Sequence, residues 1–202
     1  MTLDRLRPMA DVALRPFVRL SVAIGLTPNV ISILAFGCAI AAGATFYFAK
    51  EFVIWYVVGA VLVFANGWLD LLDGAVARRH DIDSPSGDLL DHVLDRYADI
   101  VIIAGLAAGI EAYALGFVAI TGVLMTSYLG TQAMAVGLDR AYGGAIGRAD
   151  RLALIGVTAL LVVAYQEPVA GLTLVGWLLV VLAVVGHVTA LQRFIGAWRR
   201  LD

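Results

Sequence analysis

Charge is what this chain has least of: 15% of its 202 residues are Asp, Glu, Lys or Arg, against about 25% in a typical soluble domain. With 61% hydrophobic types and a mean hydropathy of +0.91, that shortage excludes an ordinary soluble globular protein. The single cysteine, Cys38, excludes an intramolecular disulfide. Lysine is represented by Lys50 alone, and the net charge of -2 leaves no overall basic field, so no nucleic-acid partner is expected. A signal peptide is not expected either, because Asp4, Asp11 and four arginines interrupt the first 20 residues before an apolar core develops. Internal repeats and low-complexity segments are absent from the sequence.

Long apolar runs are what remains. At about 20 residues per crossing, the expected spans are Val30 to Ala49, Phe52 to Leu69, Gly87 to Ile110, Tyr113 to Leu138, Leu152 to Tyr165 and Pro168 to Leu191. Ahead of them, Leu3, Leu6, Val12, Leu14, Phe17, Val18 and Val22 alternate with Arg5, Arg7, Arg15 and Arg19, the pattern of an amphipathic helix lying on a membrane surface. Thr27-Pro28-Asn29 then supplies a break. The expectation is an all-α integral membrane protein: a single domain over 1–202, with an interfacial helix in 1–27, a six-span bundle in 30–191 and a tail in 192–202. Six spans would place all thirteen arginines on one face and Lys50 on the other. The positive-inside rule makes that face cytoplasmic and both termini with it.

Eight of the sixteen acidic residues fall between positions 70 and 99. Asp81 and Asp83 sit in the turn-rich segment HDIDSPS and read as loop residues. Asp70 and Asp73, at i, i+3, extend an apolar span, and Asp91 and Asp95, at i, i+4, begin one, so each pair shares a helical face. A charged carboxylate at a span centre costs about 2.5 to 3.5 kcal/mol, so a positive charge must compensate. Oxygen donors from two helices suit a hard cation such as Mg²⁺, and two ions about 3.5 to 4 Å apart clamp a phosphoryl group. An EF-hand does not fit, since Pro85 stands where a third oxygen ligand is needed. Asp88 reads as a carboxylate in the first turn of a helix, His92 as a packing residue or a support for a neighbouring ligand, His187 as a hydrogen-bonded intramembrane group, and Asp99 as a support for Arg96 or for a metal ligand.

The run Asp70-x2-Asp73-Gly74-x2-Ala77-Arg78-x8-Gly87-x3-Asp91-x3-Asp95 resembles the signature of the CDP-alcohol phosphotransferase family, with every fixed position filled. The surface helix, the Thr-Pro-Asn and the six spans extend the resemblance over the whole chain. It implies transfer of a lipid-phosphate from a CDP-linked lipid to an alcohol with release of CMP, by a homodimer that uses Mg²⁺ or Mn²⁺, two ions per site, on the cytoplasmic side of the cell membrane. It further implies Asp70, Asp73 and Asp91 as metal ligands, and Asp95 as the base for the acceptor hydroxyl and a further metal contact. Gly74, Ala77, Arg78 and Gly87 would hold the CDP moiety.

The resemblance implies a water-soluble alcohol as the acceptor. The segments LDHVLDRYAD and GRADRL resemble those of archaeal and actinobacterial members that use phosphorylated polyols. Gly130 and Gln132 stand where those members carry arginine or lysine. That departure turns the expectation from inositol phosphate to glycerol phosphate, with inositol phosphate, serine and inositol as alternatives. Arg140, Arg148, Arg151 and Arg193 are candidates for an anion pocket, of which Arg148, Arg151 and Arg193, with Tyr128 and Gln132, are the expected acceptor pocket; Arg199, Arg200 and the N-terminal arginines read as membrane anchors. A cation transporter would also need intramembrane carboxylates, but near the midplane on broken helices. A silent scaffold would tolerate gaps in the signature, and there are none.

Overall fold

The computed structural model describes residues 7–80, 84–139 and 146–201, with the side chains of 7–11 and His80 left aside. Asp81, Asp83, Arg140 and the first six residues lie outside that description. Among the described residues the chain forms seven helices: α1 (Arg7–Ala23), α2 (Pro28–Phe48), α3 (Ile54–His80), α4 (Pro85–Gly109), α5 (Tyr113–Ala135), α6 (Arg148–Ala164) and α7 (Leu174–Leu201). The all-helical membrane fold expected from the apolar runs is present. Four helices, α2, α3, α5 and α7, are long and apolar enough to cross a membrane. The helices at the third and fifth expected spans fall short of that: α4 carries Asp95, Arg96 and Asp99 within its apolar part, and α6 has 17 residues with Arg148 and Arg151 in its first turn.

Helix starts follow local chemistry. Gly25 takes a positive φ of 74°, and Thr27 then caps α2, its hydroxyl accepting the Val30 N–H at 3.4 Å with Pro28 in the first turn. Ser84 caps α4 in the same way, accepting the Gly87 N–H at 3.2 Å. At α6, the Asp150 carboxylate accepts the Gly147 N–H at 2.9 Å, which fixes the turn bearing Arg148 and Arg151. Two boundaries differ from the sequence reading. The expected tail is not separate, because α7 continues through Phe194 and Trp198 to Leu201. Nor does the last span begin at Pro168: a tight reversal pairs Val169 with Leu172, and Ala170 and Gly171 take φ of 50° and 84° there.

The 27 residues of α3 extend about 40 Å at 1.5 Å per residue, beyond a hydrocarbon core of about 30 Å. The excess is about two turns, at the end where Asp70, Asp73, Arg78 and Arg79 follow an uncharged first half. α2 packs on both α3 and α4, α5 on α7, and α3 also meets α6. The α2–α4 crossing depends on two glycines, since a Cβ on Gly105 would fall 2.6 Å from Gly43 Cα, closer than any side chain tolerates; the helices meet backbone to backbone. α1 lies across α3, burying Leu14 and Val18 with Ile31, Leu72 and Val76, while Phe17 meets Trp68 edge-on at 5.4 Å.

Candidate active site

Because α3 ends and α4 begins at the same end of the bundle, the acidic residues of both helices face each other beside the start of α2. One oxygen each from Asp70, Asp91 and Asp95 lies within 4.8 Å of the other two. Asp73 lines the same narrow cleft, together with Ser32, Asn66 and Arg148. It stands outside the converging trio, and its Oδ2 accepts the Ser32 hydroxyl at 2.7 Å. A trio of carboxylates with no nitrogen or sulfur donor fits a hard divalent cation. The cleft adjoins a cavity of about 310 Å³ lined by Thr27, Asn29, Gly74, Ala77, Gly87 and Asp91. The small residues of the signature thus border open space of ligand size, with the carboxylates at its edge.

Arg148 reaches this cleft from α6. Its Nη1 lies 2.6 Å from Asp70 Oδ1 and its Nη2 2.8 Å from Asp95 Oδ1, and Nη2 also donates to Asn66 Oδ1 at 3.5 Å. One guanidinium thus bridges carboxylates from α3 and α4, reducing a repulsion that would otherwise push the two helices apart. Replacing Arg148 by glutamine is expected to lower the melting temperature without added metal. It should also enlarge the stabilisation that Mg²⁺ or Mn²⁺ gives, because an added cation then relieves more repulsion; a thermal scan with and without metal measures both. An unchanged metal-induced shift would refute this role.

The other residues of the expected acceptor pocket separate. Arg151 is 6% exposed and Asp99 5%, and Arg151 Nη2 donates to Asp99 Oδ2 at 2.7 Å; Arg96 Nε lies 3.9 Å from the same oxygen. Arg151 also lines a small cavity with Val123, Thr126, Leu182 and Thr189. Arg193 donates from Nη1 to the Thr126 carbonyl at 2.6 Å, while Arg148 stays with the carboxylates. Tyr128 is exposed and Gln132 half-buried on α5.

Of the residues given structural roles, Asp88 occupies the first turn of α4, and His92 Nδ1 is 2.8 Å from the Asp88 carbonyl. His187 Nε2 is 3.2 Å from the Val118 carbonyl and 3.5 Å from Thr121 Oγ1. Ser32 and Asn66 escaped the sequence reading. Each is a polar residue within an apolar run, Ser32 one turn after Pro28 and Asn66 one turn before Asp70, and that placement was the available signal. Asn66 is 1% exposed, and its amide donates to the Ala35 carbonyl at 2.9 Å.

The family model for CDP-alcohol phosphatidyltransferase matches residues 25–189. The archaetidylinositol phosphate synthase of Methanothermobacter thermautotrophicus is 35% identical over 183 residues, covering 88% of this chain and 86% of the relative. Among solved structures, the phosphatidylinositol phosphate synthase of Mycobacterium tuberculosis with CDP-DAG bound superposes with a TM-score of 0.78 at 27% identity, covering 92% of this chain and 93% of that one. The same enzyme in complex with manganese and citrate also gives 0.78 at 27% identity, covering 92% and 88%. The signature, the fold that carries it and these matches agree: this chain belongs to the CDP-alcohol phosphatidyltransferase family, membrane transferases of phospholipid biosynthesis.

Proposed function

We propose that this protein transfers a lipid-phosphate group from a CDP-linked lipid to a hydroxyl of inositol phosphate. The acceptor oxygen bonds to the lipid-bearing phosphorus, the bond from that phosphorus to CMP breaks, and CMP leaves. The observation that carries this reading is the convergence of Asp70, Asp91 and Asp95 at the edge of a cavity lined by Gly74, Ala77 and Gly87. Inositol phosphate replaces the glycerol phosphate expected from Gly130 and Gln132, because the relatives named above are archaetidylinositol and phosphatidylinositol phosphate synthases; Arg151 and Arg193, both at Thr126, are the arginines that would meet an acceptor phosphate.

Gly74, Ala77 and Gly87 leave room for the CDP moiety; Arg78, also expected to hold it, lines the neighbouring groove between α1 and α3. Asp70, Asp91 and Asp95, with Asp73 as the fourth carboxylate, would hold one or two Mg²⁺ or Mn²⁺ ions, which neutralise charge on the transferring phosphoryl group and on departing CMP. Asp95 takes the proton from the acceptor hydroxyl. Tyr128 and Gln132 border the route by which the acceptor enters. Six helices, α2 to α7, cross the cell membrane in one domain spanning 1–202, α1 lies on its surface, and the arginine excess puts both termini and the site on the cytoplasmic side. The acting form is a homodimer.

The test is a CMP-release assay on purified protein with Mg²⁺ or Mn²⁺. CDP-diacylglycerol or CDP-archaeol is supplied as donor, and inositol phosphate, glycerol phosphate, inositol, serine or glycerol as acceptor. CMP release with inositol phosphate is the expected result. Release with glycerol phosphate but not with inositol phosphate would overturn the acceptor, and silence with every pair would overturn the reaction.

A further inference from the structure

A second cavity, of about 390 Å³, opens between α1 and the end of α3, lined by Arg15, Val18, Arg19, Ala75, Arg78 and Arg79. It shares no lining residue with the cavity beside the carboxylates, and none of its six lining residues is acidic. All four arginines are exposed. Guanidinium groups in this number around one opening match the geometry and charge of a phosphate.

The surroundings say where that phosphate comes from. At 100° per residue, Arg15 and Arg19 fall on one flank of α1 and Phe17 and Leu20 on the other, with the buried Leu14 and Val18 between them. Phe17 is 46% exposed and Leu20 59%, and Phe17 reaches down to Trp68 on α3. Trp68 precedes Arg78 and Arg79 by ten and eleven residues, about 15 Å along the helix axis. The apolar flank of α1 thus lies at the level of the apolar part of α3, and the four arginines stand one headgroup layer above it.

We infer that the α1–α3 groove binds the phosphate headgroup of an anionic membrane lipid, at a site separate from that of the CDP-linked donor. The site ties α1 to the bilayer surface and is independent of the acceptor chosen above.

The test titrates detergent-purified protein with phosphatidylglycerol and counts retained lipids by native mass spectrometry. The parent and an Arg15→Gln/Arg19→Gln variant are compared, with Arg79→Gln as an independent second variant; Arg78 is left in place because of its proposed role at the donor. The expected result is one saturable phosphatidylglycerol per chain in the parent, bound at least tenfold more weakly in either variant, with CMP binding unchanged as evidence of intact folding. Phosphatidylcholine, inorganic phosphate and CMP at matched concentration are expected not to displace it. Equal retention in parent and variants would overturn the site. Displacement by phosphatidylcholine would remove the charge recognition, displacement by inorganic phosphate would make it a free-anion site, and displacement by CMP would move the lipid into the donor cavity.

Discussion

Asp95→Asn is expected to lower turnover by about 10³-fold or more while leaving binding of the CDP-linked lipid within a few-fold of the parent. A positioned base contributes about 10² to 10⁴ in rate, and asparagine keeps the shape of the side chain while losing its capacity to take a proton. The surroundings favour retained binding: Asp95 is held by Arg148 at 2.8 Å and Arg96 at 3.4 Å, and Asp70 and Asp91 remain to hold a metal. Single-turnover CMP release, paired with equilibrium binding of a CDP-lipid, separates the two effects. Loss of donor binding as severe as the loss of turnover would make Asp95 a metal ligand first and remove it as the base.

The largest effect on stability is expected at Asp99. Asp99→Ala leaves the Arg151 guanidinium, 6% exposed, among Val123, Thr126 and Leu182 without the carboxylate that it contacts at 2.7 Å. Breaking one side of a buried pair costs about 3 to 5 kcal/mol, whereas replacing both sides by apolar groups is often close to neutral. The double variant Asp99→Ala/Arg151→Met is therefore expected to regain most of the stability lost by the single one, read as unfolding in mixed micelles. It should still show a raised KM for the acceptor phosphate if Arg151 binds it. A double variant as unstable as Asp99→Ala would show that the pair is not the cause, and an unchanged acceptor KM would take Arg151 out of the acceptor site.

Arg148 shows how far local reasoning reaches. The expected anion pocket rested on the arginines of one face, and charge sign alone cannot decide whether an arginine meets a substrate phosphate or a carboxylate of the same chain. α6 starts where Asp150 accepts the Gly147 N–H, and the one-turn offset between Arg148 and Arg151 then sends the first to Asp70 and Asp95 and the second to Asp99. Asp99 was read as a support for Arg96, three residues away on its own helix, or for a metal ligand, because such neighbours are visible in sequence. Its shorter contact comes from Arg151, 52 residues later.

By itself, the sequence determined the helical membrane frame, the break at Thr27-Pro28-Asn29 and the pairing of carboxylates on two helical faces. Those features follow from composition, local hydrogen bonding and a 3.6-residue period, all of which act within a few residues. Tertiary structure alone decided that α3 and α4 bring Asp70, Asp91 and Asp95 together while Asp73 turns to Ser32, that Asn66 and Arg148 join the cleft, and that Arg193 reaches Thr126. Those contacts depend on how closely and at what angle helices cross. Here that is set by backbone contact at Gly43 and Gly105 and by buried groups that must each find a partner somewhere in the bundle.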